Sequence, residues 1–257
     1  MIIIPYGYYT SAVNRYILAT KPEGAIIPDF IAESPLMMFA AIAFAYIRFC
    51  IKYGLRNHIF KIVPTHNDEG KRFHEGERIL KASKIENHIV DVLAYTSFSV
   101  AGYLMCKDQE WMPWYLGGHG DLNNWSKGLP YIETTNYMIY LGYINAGYRI
   151  ENLVQHLIYH SNDSDFQEML LHDIVTVVLF FSYLAGNLVN IGTMTAVLHD
   201  LTDIPFHISK ALHATTYSDW SVYPFLLGQV AWFWLRLLCF PAIIYNVYYT
   251  EYTASLS

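Results

Sequence analysis

Long apolar stretches recur along this chain and restrict its fold more than any other feature. They run from Pro35 to about Cys50, from about His88 to Cys106, from Tyr137 to about Leu157, from Met169 to Leu184, from Leu188 to about Leu201, and from Tyr223 to Tyr248. A bilayer core is crossed by about 20 mostly apolar residues in helical form. Lipid offers no partners to unpaired backbone groups, so isolated strands and open sheets are excluded there. The expectation is an all-α, polytopic membrane helical bundle with about six transmembrane helices. Composition agrees, since 54% of residues are hydrophobic and only 15% charged, too apolar for an ordinary soluble domain. A net charge of −6 and the lack of a basic tract interleaved with aromatics exclude a nucleic-acid partner.

The polar segments set the expected orientation. Lys52, Arg56, Lys61, Arg72, Arg78 and Lys84 help make the connection between the first two spans basic, which assigns it to the cytosol or the mitochondrial matrix. Within it, Gly54 to Gly76 reads as a solvated loop. The next connection carries Trp111, Trp114, Tyr115, Trp125 and Tyr131 with few cations, as an interfacial aromatic segment on the opposite side does. Both termini then lie outside, and the endoplasmic reticulum and the mitochondrial inner membrane fit equally. Pro5-Tyr6-Gly7 interrupts the opening isoleucines, so no cleavable signal pattern is present and insertion falls to the internal spans. Cys50, Cys106 and Cys239 lie in or beside apolar stretches at wide spacing. They suit neither a disulfide framework nor a zinc site and read as buried free thiols.

Ionisable groups inside a span are expensive, and each is a functional candidate. The fourth span opens with His172-Asp173 and the fifth carries His199-Asp200 and Asp203, with a short turn near Gly186-Asn187 between them. Such neighbours pack antiparallel, which would put His172 and His199 at one membrane depth, facing one chamber. His199, Asp203 and His207 also share a helical face at i, i+4 and i+8 and, with His172 and Asp173, offer nitrogen and oxygen donors. Pro205 interrupts that face, and no metal is expected. His156 and His160 read as a solvated interfacial pair; Arg149 and Glu151 read as snorkelling or satisfied by a neighbouring helix.

Asp165-Phe166, His172, Ser182-Tyr183, Gly192 and His199-Asp200-x-x-Asp203, in that order, resemble the Lag1 motif of ceramide synthases, members of the TLC (TRAM, Lag1, CLN8) domain family. Lys84-Ile85-Glu86, and Arg236 with Phe240-Pro241, resemble flanking family features, so the likeness covers roughly residues 84 to 245. The resemblance implies a division into an N-terminal segment, 1–83, holding the first transmembrane helix and the basic loop, and a TLC-like membrane domain, 84–257. The family's chemistry moves an acyl group from coenzyme A to a sphingoid amine. By resemblance His172 would be nucleophile or base, His199 its partner, and Asp200 and Asp203 the orienting carboxylates, with acyl-CoA as a co-substrate and no bound cofactor.

Several departures from the family pattern alter the functional expectation. Asp173 stands where the family has a second histidine, and aspartate is a far weaker base at neutral pH. His207 stands where the family has an acidic residue, Pro205 interrupts the helix, and the chain reaches Ser257 where the family barrel continues by one helix. The expected protein is therefore a catalytically altered TLC protein with one barrel helix lacking. It would serve as a lipid-binding or structural subunit of a larger membrane complex, with membrane lipids and other subunits as partners. The alternatives are an active sphingoid-base N-acyltransferase and a lipid transport or trafficking module.

Overall fold

The computed structural model describes residues 3–66, 70–132, 134–159 and 166–254. Among these no strand forms. The helices are α1 (Ile3–Thr20), α2 (Phe30–Ile62), α3 (Glu75–Cys106), α4 (Asn136–Tyr159), α5 (Phe166–Ala185), α6 (Val189–His213) and α7 (Val222–Trp232), which continues through a π-helical stretch (Phe233–Cys239) into α8 (Phe240–Ala254). Among the described residues, four helical segments are long and apolar enough to cross a membrane: α2, α3, α5 and Ser218–Asn246. The remaining two predicted spans are the helices α4 and α6, which Tyr, Asn, His and Asp residues make less apolar.

Several local expectations are corrected. The N-terminal stretch, which lies outside the predicted spans, is also helical: Pro5 falls in the first turn of α1, where its missing N–H would have no partner in any case. The first span starts before Pro35, at a cap formed by Asp29, whose Oδ1 accepts from the amides of Ala32 (2.9 Å) and Ile31 (3.2 Å). Pro35 cannot donate to the Ile31 carbonyl, and the Ser34 hydroxyl does so instead at 2.9 Å. About half of the supposed solvated loop is helix, since α2 runs on to Ile62 and α3 begins at Glu75. A backbone ladder does not need apolar side chains to continue. Pro205 does not break α6, which runs through it to His213. Cys106 and Cys239 are buried as expected, whereas Cys50 is exposed on α2. The aromatic segment after α3 is mixed: Trp111 and Trp125 are buried and Trp114 is exposed.

The chain packs as two compact units. The first comprises Met1–Ala45, Ala101–Thr195 and Tyr245–Ser257, with α5 packed against α4 and α1. Asn14 is fully buried there. Its amide donates to the carbonyls of Pro28 (2.9 Å) and Ala185 (3.2 Å), and its Oδ1 accepts from the amide of Phe30 (2.9 Å). One side chain thus ties α1 to the start of α2 and the end of α5. Gly147 on α4 lies against the Met37 carbonyl and the Ala40 side chain of α2, leaving no room for a Cβ, the small-residue contact common between membrane helices. Gly147→Ala is expected to destabilise the protein by about 1–3 kcal/mol. Gly54→Ala, in open space on α2, is expected to be neutral or mildly stabilising. Thermal unfolding in detergent compares the two.

The second unit comprises Tyr46–Val100 and Ala196–Ile244. Ile59 and Val63 pack on Ala82 and Ile85 of α3, with Phe60, Ile89 and Ala214 around them. Arg78 donates to the Phe60 carbonyl (3.1 Å), and the Thr216 amide to that of Ile62 (2.9 Å). The buried Ser209 hydroxyl donates to the Ser221 carbonyl at 2.8 Å.

Candidate functional site

The tight connection between α5 and α6 forms as expected. Asn187 adopts the left-handed conformation, φ 54°, which asparagine tolerates better than most residues. The Leu188 amide closes the turn on the Tyr183 carbonyl at 2.8 Å. The Asn187 side chain donates to the carbonyls of Pro130 (2.9 Å) and Ile132 (3.1 Å), anchoring the turn to the loop before α4. Gly192 lies flat against the Tyr183 ring, with no space for a side chain. The Tyr and Gly of the motif are therefore one packing contact, while the Ser182 hydroxyl donates to the Val178 carbonyl of its own helix at 2.7 Å.

His172 and Asp173 belong to the first unit, near the start of α5. Asp173 Oδ2 lies 3.1 Å from His156 Nδ1 of α4, and both side chains are largely buried. This corrects the reading of His156 as solvated; His160 and Asp165 lie outside the described residues. The His156 ring packs against Phe166 at 5.5 Å between centroids. Arg149, two helical turns away on α4, places its guanidinium 5.6 Å from the Phe180 ring centroid and donates to Asn145 Oδ1 at 3.2 Å. It is satisfied within the bundle, as one of the two expected alternatives held. His172 itself is exposed, and its carbonyl accepts from the Thr176 hydroxyl at 2.8 Å.

His199, Asp200 and Asp203 belong to the second unit, where Arg236 organises their turn of α6. Its Nη2 donates to Asp203 Oδ1 (2.6 Å) and to the His199 carbonyl (3.1 Å), and its Nε donates to Thr202 Oγ1 (2.8 Å). A planar guanidinium serves these acceptors together in a way a lysine cannot. Arg236 sits in the π-helical stretch, and such stretches occur often at functional sites. The His199 ring meets Phe240 edge-on at 5.0 Å, and Asp200 is buried. His207 does not join His199 and Asp203 as donors to one ion. Its Nδ1 lies 3.1 Å from His88 Nδ1 and 3.3 Å from Asp91 Oδ2.

The structure thus brings His199, Asp200 and Asp203 together in one unit and joins His172 with Asp173 in the other. Sequence reasoning missed the partners His156 and Asp91. Arg236 was legible only as a family feature, although a cation inside an apolar span is itself a signal.

The TLC domain is matched over residues 84–257. ASC1-like protein 3 of Oryza sativa subsp. japonica is 24% identical over 83% of this chain and 72% of its own length. Ceramide synthase hyl-2 of Caenorhabditis elegans is 25% identical over 89% of this chain and 67% of its own. Ceramide synthase 4 of Homo sapiens is 32% identical over 46% of this chain, an alignment that spans 30% of the human protein. With its membrane-spanning helices, the chain is an integral membrane protein similar to ceramide synthases, and it belongs to the TLC domain family.

Proposed function

We propose that this protein binds membrane lipid through a ceramide-synthase-type site that is catalytically altered, and that it works as a subunit of a larger membrane assembly. The observation that carries this reading is the Asp173–His156 pair at 3.1 Å. At the position where the resemblance expects a second histidine, the side chain is a weak base held against the His156 imidazole. Asp203 is likewise engaged, by Arg236. His172, Asp173, His199, Asp200 and Asp203 are then lipid-contacting or architectural groups. His172 is exposed on an apolar helix, where a polar group on bare hydrocarbon is unfavourable. A lipid headgroup or a partner helix is the cover it calls for. Native mass spectrometry after purification in mild detergent is expected to find retained phospholipid or sphingolipid, together with co-purifying membrane proteins. A bare, monodisperse and stable monomer would sink the proposal.

A second reading, an active sphingoid-base N-acyltransferase, draws on the same pair. A carboxylate at Nδ1 is how catalytic histidines are oriented, with Nε2 as the basic atom. His156 would then supply an imidazole beside the substituted position. That reading requires His156→Ala to abolish N-acylation, whereas the subunit reading expects no turnover to lose.

A further inference from the structure

His88 and Asp91 are three residues apart on α3 and share one face of it. His207 reaches them from α6, 119 residues away from His88 in the chain. The two imidazole Nδ1 atoms are 3.1 Å apart, His207 Nδ1 is 3.3 Å from Asp91 Oδ2, and His88 Nδ1 is 4.0 Å from it. All three side chains are largely buried, at 20%, 13% and 19% exposure for His88, Asp91 and His207. Arg48 Nη2 lies 3.5 Å from Asp91 Oδ1, so the other carboxylate oxygen is the one turned to the imidazoles. The His88 and His207 rings pack edge-on at 5.1 Å, and Tyr95 flanks His207 at 5.2 Å, which limits their rotation. All four residues, with Tyr95, belong to the second unit.

We propose that His88, Asp91 and His207 bind one divalent transition-metal ion. Donor atoms about 2.0–2.1 Å from a zinc ion in tetrahedral array stand about 3.3–3.4 Å apart. Two of the three observed separations are close to this, and the third closes by about half an ångström through rotation of the His88 ring. Three protein donors with one open position is the ligand count of a catalytic zinc site, and two imidazoles with one carboxylate also suit iron(II). The Arg48 contact is the outer-shell support that a ligating carboxylate takes. A hydrogen bond between the two imidazoles engages two inward-turned nitrogens, whereas one metal ion engages both of them and Asp91 Oδ2 together. None of the three residues is among those that the family resemblance assigns to acyl transfer, so the site stands whether or not the protein transfers acyl groups.

The test uses the full-length protein, free of any histidine tag, stripped with a chelator in detergent and titrated with zinc. One equivalent is expected to bind saturably, with affinity reduced at least about 100-fold in His88→Ala and in His207→Ala, beyond what an outer-shell change does. The exposed His66→Ala is expected to bind as the unaltered protein does. Loading the unaltered protein with cobalt(II) gives a second measurement that needs no variant. Visible bands of a four- or five-coordinate nitrogen–oxygen site are expected, and the spectrum of the aquo ion would overturn the proposal. So would the lack of one-equivalent zinc binding, or binding undiminished in both histidine variants.

Discussion

Given a sphingoid base and acyl-CoA, membranes carrying this protein are expected to form N-acylated product at no more than about a hundredth of the rate of a ceramide synthase assayed beside them. A positioned general base contributes about 10²–10⁴-fold to such a reaction. Asp173 stands where the family resemblance calls for an imidazole, and an aspartate's ordinary pKa of about 3.9 leaves it a poor proton acceptor at neutral pH. Its carboxylate is moreover turned to His156 at 3.1 Å. Asp173→His restores the family pattern at that position and is expected to raise any residual rate by about tenfold or more. His172→Ala should leave the unaltered protein's background unchanged. Turnover approaching that of the reference synthase, and collapsing in His172→Ala or His156→Ala, would make the protein an enzyme and discard the altered-site reading.

Arg236→Met is expected to be the most destabilising single change in the second unit. The side chain it replaces makes three hydrogen bonds, to Thr202, the His199 carbonyl and Asp203. Its loss leaves Asp203 without that cation in an apolar setting. Breaking a fully buried pair costs about 3–5 kcal/mol. With the two side chains 19% and 25% exposed, solvent screening brings the expectation to about 2–4 kcal/mol. For a chain of this length that is a fall in melting temperature of about 5–15 °C, readable by thermal unfolding in detergent. Asp203→Asn added to Arg236→Met should recover part of the loss, because the orphaned charge is then gone. A fall below about 2 °C would show that Arg236 does not hold α6 in place.

The membrane helices were legible because apolar runs of bilayer length have few other uses. Their ends were not, because hydrogen bonding continues wherever the chain permits it. Thus α2 and α3 run well beyond their apolar cores, and α1 tolerates Pro5 in its first turn. The motif residues His199, Asp200 and Asp203 stood out as charges in an apolar helix, and the turn at Asn187 as a short polar break. Their partners did not. Asp173 meets His156 across two helices, and Asp91 meets His207 across a long stretch of chain. No spacing rule connects residues on separate helices. The face proposed from His199, Asp203 and His207 followed the correct helical period, yet His207 found its neighbours on α3 instead.

The length of α2 has a mechanical consequence. At 1.5 Å per residue its 33 residues extend about 50 Å, and the 32 residues of α3 about 48 Å, against a hydrocarbon thickness of about 30 Å. Each helix therefore carries several turns that hydrocarbon does not enclose. Lys52, Arg56 and Lys61 ride on these turns of α2, and Arg78, Lys81 and Lys84 on those of α3. Near an anionic leaflet each such cation gains about 1 kcal/mol, whereas drawing one to the bilayer centre costs about 2.5–3.5 kcal/mol. The helix pair is in effect a depth stop: sliding inward by a single turn pulls charge into oil, and sliding outward strips apolar side chains of lipid.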